Sequence, residues 1–204
     1  MSIANRLRTA LGEHNFFGFH WIIEKFNDYD VTRINEIGKD RGCAEWLLRC
    51  GGTVRFDRYK EDISDYNSLM HKTAVIDPRV ETQQVFLTHA NAVNACVTAH
   101  GCRHFNGLTR LVDARFVNCK NLEDEGIHKF VEYVGSSIES VEVSSCRYLT
   151  EKGLSVLKDC PSLHSLILSD LRKVKNPHRL FDTLKENLPS NCQLFYPDVT
   201  KKTK

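Results

Sequence analysis

Leu111-Val112-Asp113-Ala114-Arg115-Phe116-Val117-Asn118-Cys119 and Ile138-Glu139-Ser140-Val141-Glu142-Val143-Ser144-Ser145-Cys146 follow one pattern: apolar residues at the first, fourth and sixth places and cysteine at the ninth. Leu163-x-x-Leu166-x-Leu168-x-x-Leu171 is a third copy, and Leu87-x-x-Ala90-x-Ala92-x-x-Ala95 is a fainter one ahead of them. The copies begin at 87, 111, 138 and 163, in steps of 24, 27 and 25 residues, the period of leucine-rich repeats. Within each copy the fourth and sixth residues point inward from a strand and the ninth closes a turn. A single unit cannot bury its apolar face alone, so the units must stack.

Between the strands, returning helices are predicted over 124–133, 150–157 and 177–188. Leu122-x-x-x-Gly126-Ile127 and Leu149-x-x-x-Gly153-Leu154 repeat the same helix entry. The expected fold class is therefore α/β: a short leucine-rich-repeat solenoid of parallel strands and returning helices, about four repeats over 85–190, with an N-terminal helical cap domain.

Ahead of the repeats, Phe16-Phe17-Gly18-Phe19-His20-Trp21-Ile22-Ile23 concentrates five rings in eight residues. Phe26 continues the helical face of Phe19, so the segment is expected to be mostly buried, with Phe17 and Phe19 as the alternative contact residues if it is exposed. Asp30 caps a second helix whose apolar positions run from Ile34 to Cys50, interrupted by Gly38 and Gly42. Gly51-Gly52 ends it where a left-handed residue belongs. Thr53-Val54-Arg55-Phe56 alternates like a strand. Residues 67–84 have weak periodicity and are expected to be a connector, so 16–84 form the N-terminal domain and connector. From 191 a polar tail is expected.

Met1 to Asn15 carries Arg6 and Arg8 with Ile3, Leu7 and Leu11 at helical spacing, and Glu13 is its one acid. Such a composition fits a mitochondrial transit segment over 1–15 as well as an amphipathic leader helix. The formal net charge of +2 gives no argument for nucleic acid. No apolar run reaches the ~20 residues that cross a bilayer. Eight cysteines, two of them at equivalent repeat positions, are read as reduced thiols packed as small apolar groups.

Catalytic signals are missing. No phosphate loop, nucleophile elbow or HExxH helix occurs. Cys96, His100 and His104 could share a helical face, but incidental imidazoles explain them better than a zinc site. Glu61, Asp62 and Asp65 read as a solvated acidic face. No small-molecule substrate is therefore expected, and the chain is read as a non-enzyme. The repeat geometry instead places the fifth and seventh positions on a concave sheet face: Asn91 and Val93, Arg115 and Val117, Glu142 and Ser144, Ile167 and Ser169. That mixture of polar, charged and apolar groups suits a protein interface.

Several stretches resemble one family. Asn35 to Gly52, with Glu45-Trp46-Leu47-Leu48-Arg49-Cys50-Gly51 at its centre, resembles the signature of the mitochondrial ATP synthase subunit s (coupling factor B) family. Phe16-Phe17-Gly18-Phe19, Val141 to Cys146 with Leu149 to Leu154, and Leu166-Ile167-Leu168-Ser169-Asp170-Leu171 resemble further segments, so that the likeness covers roughly 16–190. The resemblance implies an accessory factor in proton-driven ATP synthesis, peripheral to the matrix side of the inner membrane and bound to the ATP synthase membrane sector. It also implies Mg2+ held by main-chain carbonyls, which map to Gly38 and Arg79. The chain departs from the family at Val117-Asn118-Cys119, where the family has two cysteines one residue apart. Two other roles remain open at this level: a repeat-type assembly factor for the membrane arm of respiratory complex I, and a ubiquitin-ligase adaptor, although the first 60 residues show no F-box pattern.

Overall fold

The computed structural model describes residues 20–73 and 84–200. Three helices come first: α1 (His20–Phe26), α2 (Val31–Ile37) and α3 (Lys39–Arg49), followed by β1 (Thr53–Phe56) and α4 (Tyr66–Thr73). Then β2 (Leu87–Val93), β3 (Asp113–Val117), α5 (Asp124–Val134), β4 (Ser140–Ser144), α6 (Glu151–Ser155), β5 (Ser165–Ser169), α7 (Pro177–Asn187), β6 (Gln193–Phe195) and α8 (Pro197–Thr200) complete the order. Short 3-10 turns at Gly101–Phe105 and Val156–Asp159 fill the remaining returns.

All six strands form one sheet in the order β1-β2-β3-β4-β5-β6. Each connection after β2 steps one strand over in the same direction, and those pairings are parallel. The register aligns the copies read from the sequence, Ala90 with Ala114, Val141 and Leu166, and Ala92 with Phe116, Val143 and Leu168. These residues and the leading Leu87, Leu111, Ile138 and Leu163 are buried. Successive side chains of a strand point to opposite faces, which sends this set to the helices and the intervening set to the other side.

The ninth-position cysteines do more than fill space. Cys119 Sγ donates to the carbonyl of Ala92 at 2.9 Å, and Cys146 Sγ to that of Phe116 at 3.3 Å. Each thiol thus ties its turn to the preceding strand. Contact with Cys146, together with complete burial, holds Cys119 well above the usual thiol range. All eight cysteines are free.

Side chains also tie the starts of α6 and α7 to the previous unit. The Asp124 carboxylate accepts from the N–H of Thr150 at 2.8 Å and from its hydroxyl at 2.6 Å. The Glu151 carboxylate likewise accepts from the N–H of Asn176 at 2.8 Å. Gly153 is required by this approach, since a Cβ there would sit 2.7 Å from the Asp124 Cα.

The N-terminal elements differ from the sequence reading in three places. Gly38, at φ 85°, splits the second helix into α2 and α3. Asp30 does cap α2, accepting from Arg33 N at 3.0 Å, and Gly51 is left-handed at φ 98°. The expected connector contains α4, started by Asp65 accepting from Ser68 N at 2.8 Å and anchored by the buried Leu69. Trp21, in the segment expected to be mostly buried, is 65% exposed, because the chain turns inward the side of α1 that carries Ile23, with Asn27 buried just past the helix end.

At the other end, the stretch read as a polar tail supplies β6, which pairs with β5 through Leu166–Leu194, and the buried ring of Tyr196. β1 pairs antiparallel to β2, so the sheet extends beyond the four sequence copies at both edges. None of the helices among the described residues is long and apolar enough to cross a membrane.

Candidate functional site

The strand faces turned away from the helices carry registered rows. One row runs Thr53, Asn91, Arg115, Glu142, Ile167, Phe195; the next runs Val93, Val117, Ser144, Ser169. The fifth and seventh positions of the repeats are thus brought side by side as their spacing predicts, because parallel pairing in constant register stacks equivalent residues.

The central pair is ionic. Arg115 reaches Glu142 Oε2 through Nε at 2.7 Å and Nη2 at 2.6 Å. Ser144 Oγ donates to the other carboxylate oxygen at 3.3 Å, and Ser169 Oγ donates to Ser144 Oγ at 2.9 Å. Arg115, Glu142, Ser144 and Ser169 therefore form one hydrogen-bonded chain across three strands. Exposure is uneven along it: Arg115 is exposed, Glu142, Ile167, Val117 and Ser169 are half-buried, and Ser144 is buried.

Asn91 is also buried, under the segment that follows β1. Its Nδ2 donates to Asp62 Oδ2 at 3.2 Å, and Asp62 is held by Arg55 at 2.7 Å. Its Oδ1 has no partner among the described residues. Asp62 thus belongs to the sheet face and not to a purely solvated acidic cluster. Sequence reasoning missed Arg55, Asp62 and Phe195. Phe195 is 55% exposed at the end of the row, and the alternation of Gln193-Leu194-Phe195 was its only signal.

A further missed residue, Asn27, organises the join between helices and sheet. Asn27 is fully buried; its Nδ2 donates to the carbonyls of Ile23 and Cys96, each at 2.8 Å. Its Oδ1 accepts from Thr98 N at 3.0 Å and Trp46 Nε1 at 3.2 Å. Trp46 stacks on His104 with ring centroids 4.9 Å apart, and the aromatic contact continues through Phe105 to Phe116 and Phe130. His104 bonds the Gly101 carbonyl through Nδ1 at 2.9 Å, and burial pushes its pKa down to about 4, so the ring is neutral. Cys96, His100 and His104 form no ligand cluster: among the described residues no group of three or more His, Cys, Asp or Glu is placed to hold a metal.

Gly38 sits between α2 and α3 beside Asp40. Its carbonyl accepts from Gly42 N at 2.9 Å, and a second lone pair on that oxygen can still face a hard cation. Asp40 accepts from Leu87 N at 2.7 Å, and burial raises its pKa to about 6. Arg79, Phe17 and Phe19 lie outside the described residues.

These features define an α/β protein whose candidate site is an open sheet face with an ion pair at its centre and apolar groups at its margins. No family model matches the chain. It is 33% identical over 187 residues to human "ATP synthase subunit s, mitochondrial", covering 91% of this chain and 88% of that protein. The bovine protein of the same name is 33% identical over 172 residues (83% and 82%), and the mouse one 29% identical over 174 (84% and 83%). The chain belongs to the mitochondrial ATP synthase subunit s family. A solved structure described as a yeast Rad7–Elc1 complex aligns at a TM-score of 0.39 and 23% identity, over 48% of this chain and 24% of that one.

Proposed function

We propose that the protein is a non-catalytic accessory factor of mitochondrial ATP synthase, acting in proton-driven ATP synthesis by binding the membrane sector while peripheral to the matrix side of the inner membrane. The observation that carries the reading is the 33% identity to human ATP synthase subunit s over 91% of the chain. In this reading the stacked units are leucine-rich repeats capped by α1 to α4, and the row from Arg115 to Phe195 is the docking face. The mixed polar and apolar character of that row supports it.

Arg115 is the residue to test, because it is exposed and its loss removes no core contact. Arg115→Glu places a carboxylate against Glu142. It should reduce recovery of ATP synthase in pull-downs from mitochondrial membranes at least tenfold, with the melting temperature changed by less than a few degrees. Undiminished recovery, or recovery of complex I in its place, rejects the docking face or the partner respectively.

The reading includes a magnesium ion that the main-chain carbonyls of Gly38 and Arg79 would hold. Its support is the family membership and the main-chain carbonyl that Gly38 offers between α2 and α3. Saturating Mg2+ should then raise the melting temperature over that in EDTA, since a ligand that binds only the native state stabilises it; identical melts with and without the ion remove this part.

A further inference from the structure

A second surface lies at the C-terminal ends of the parallel strands, away from the Arg115 row. The residues that leave β2, β3, β4 and β5 are Asn94, Asn118, Ser145 and Asp170, and all four are left-handed, with φ between 47° and 55°. The N–H groups of the first three donate to the last carbonyl of the next strand, Val117, Ser144 and Ser169. Asp170 has no such strand carbonyl to use, and its N–H donates to Asp198 Oδ2 at 3.0 Å. Two residues after each of the last three comes a cation: Lys120, Arg147 and Arg172. Adjacent strands lie about 4.8 Å apart, so the repeat places three cationic side chains along one edge.

These three, with Asn118, Ser145 and Asp170, line a notch of ≈ 280 Å³. Arg147 is gripped through Nε by the Lys120 carbonyl at 3.3 Å and lies over Tyr148, 4.7 Å from the ring centroid. Lys173 covers the same ring at 4.7 Å. Arg172 is gripped through Nε by Asp170 at 3.3 Å. The terminal Nη groups of both arginines, and the Lys120 ammonium, have no hydrogen-bond or ion-pair partner among the described residues. Ser145 donates to Asp170 at 2.9 Å, and Asn118 donates to Asn94 at 2.7 Å, so the polar floor is held in place. Asp170 is the one carboxylate in the lining, and three cations face it.

Two guanidinium groups fixed at Nε present their Nη pairs as ready donors, and an ammonium beside them adds a point charge. Their spread over three rungs exceeds what one carboxylate's two oxygens engage and suits a group with three or four oxygens. We propose that this notch binds a phosphate-type oxyanion, either free or as a lipid headgroup. The site goes beyond the partner-binding face and does not depend on it.

The test uses the full chain, with sodium pyrophosphate as soluble probe in calorimetry at low ionic strength and phosphatidylcholine vesicles containing phosphatidic acid in co-sedimentation. Lys120→Gln removes no side-chain hydrogen bond or ion pair among the described residues and keeps most of the stem; Arg147→Gln is the second variant. Removing one charged partner should weaken pyrophosphate binding about tenfold in each, with melting unchanged in Lys120→Gln. Vesicle retention that pyrophosphate displaces assigns the lipid headgroup as source. Pyrophosphate binding without retention assigns free phosphate. Retention lost in Lys120→Gln supports the site even where pyrophosphate alone is too weak to saturate. The proposal is overturned by neither saturable binding nor retention, or by binding and retention undiminished in Lys120→Gln.

Discussion

Asn27 shows how much one buried polar residue can hold. Its amide satisfies the carbonyls of Ile23 and Cys96 and the donors of Thr98 and Trp46 in one place. Gly101 is small for the same reason: a Cβ there would strike Asn27 Oδ1 and Trp46 Nε1. Asn27→Ala leaves several buried groups unpaired at once, each costing about 1–3 kcal/mol. The variant should lose about 3 kcal/mol or more in urea denaturation; a loss below about 1 kcal/mol would show that water replaces the amide. His104 and Asp40 make a second, pH-dependent case. The His104 pKa is pushed down to about 4 and the Asp40 pKa up to about 6, both mainly by burial. Between pH 6 and 4 the unfolded chain protonates His104 and the native state does not, so this group makes stability fall as pH falls. Over the same interval native Asp40 is protonated and unfolded Asp40 is ionised, so it makes stability rise as pH falls. The two effects oppose each other. Asp40→Asn should therefore lose about 2 kcal/mol more than wild type between pH 6 and pH 4, on the scale of ~1.4 kcal/mol per pKa unit, and His104→Gln should move the other way. Parallel urea midpoints for all three proteins at the two pH values would refute this assignment. Neither Asn27 nor the His104–Asp40 opposition was visible beforehand, since a lone Asn, His or Asp carries no sign of what surrounds it.

At the scale of elements, legibility followed periodicity. β3, β4, β5 and α5 fell where the apolar spacing put them, because a period of two and a helical period leave different marks. α6 came out shorter than expected, with Thr150 as its cap and a 3-10 turn from Val156 to Asp159 completing it. α4 and β6 were missed for opposite reasons. The signal for α4 was an Asp65 cap and one buried apolar residue, Leu69, too little to register as a pattern. β6 has three residues, and it is a strand because β5 offers an edge and Leu194 continues the buried column. Asn94, Asn118, Ser145 and Asp170 could have been read as one left-handed column, since Asn and Asp tolerate that region better than most residues. The basic ladder two residues further on has no such mark, because Lys120, Arg147 and Arg172 are ordinary surface residue types until the strands stack in register.

In the whole molecule, one apolar cluster runs from Ile23 on α1 through Trp46, Phe105 and Phe130 to Tyr196 after β6. The N-terminal helices therefore share their core with the first strands and do not bury a separate one. Unfolding should be a single cooperative transition, with Trp46 fluorescence and far-UV circular dichroism giving the same urea midpoint; Trp21, being exposed, adds little shift. Two separated transitions would show that the helices and the sheet fold as independent units.

By itself the sequence determined the strand period, the inward and outward alternation and the family, because apolar spacing and motif identity are local properties of a chain. The tertiary structure alone decided that Asn91 and Ser144 are buried and Arg115 exposed, that a short terminal segment becomes a sixth strand, and that three cations meet on one edge. Those outcomes depend on which residues distant in sequence come within a few ångströms of one another. No local pattern encodes that distance; it exists only once the units have stacked.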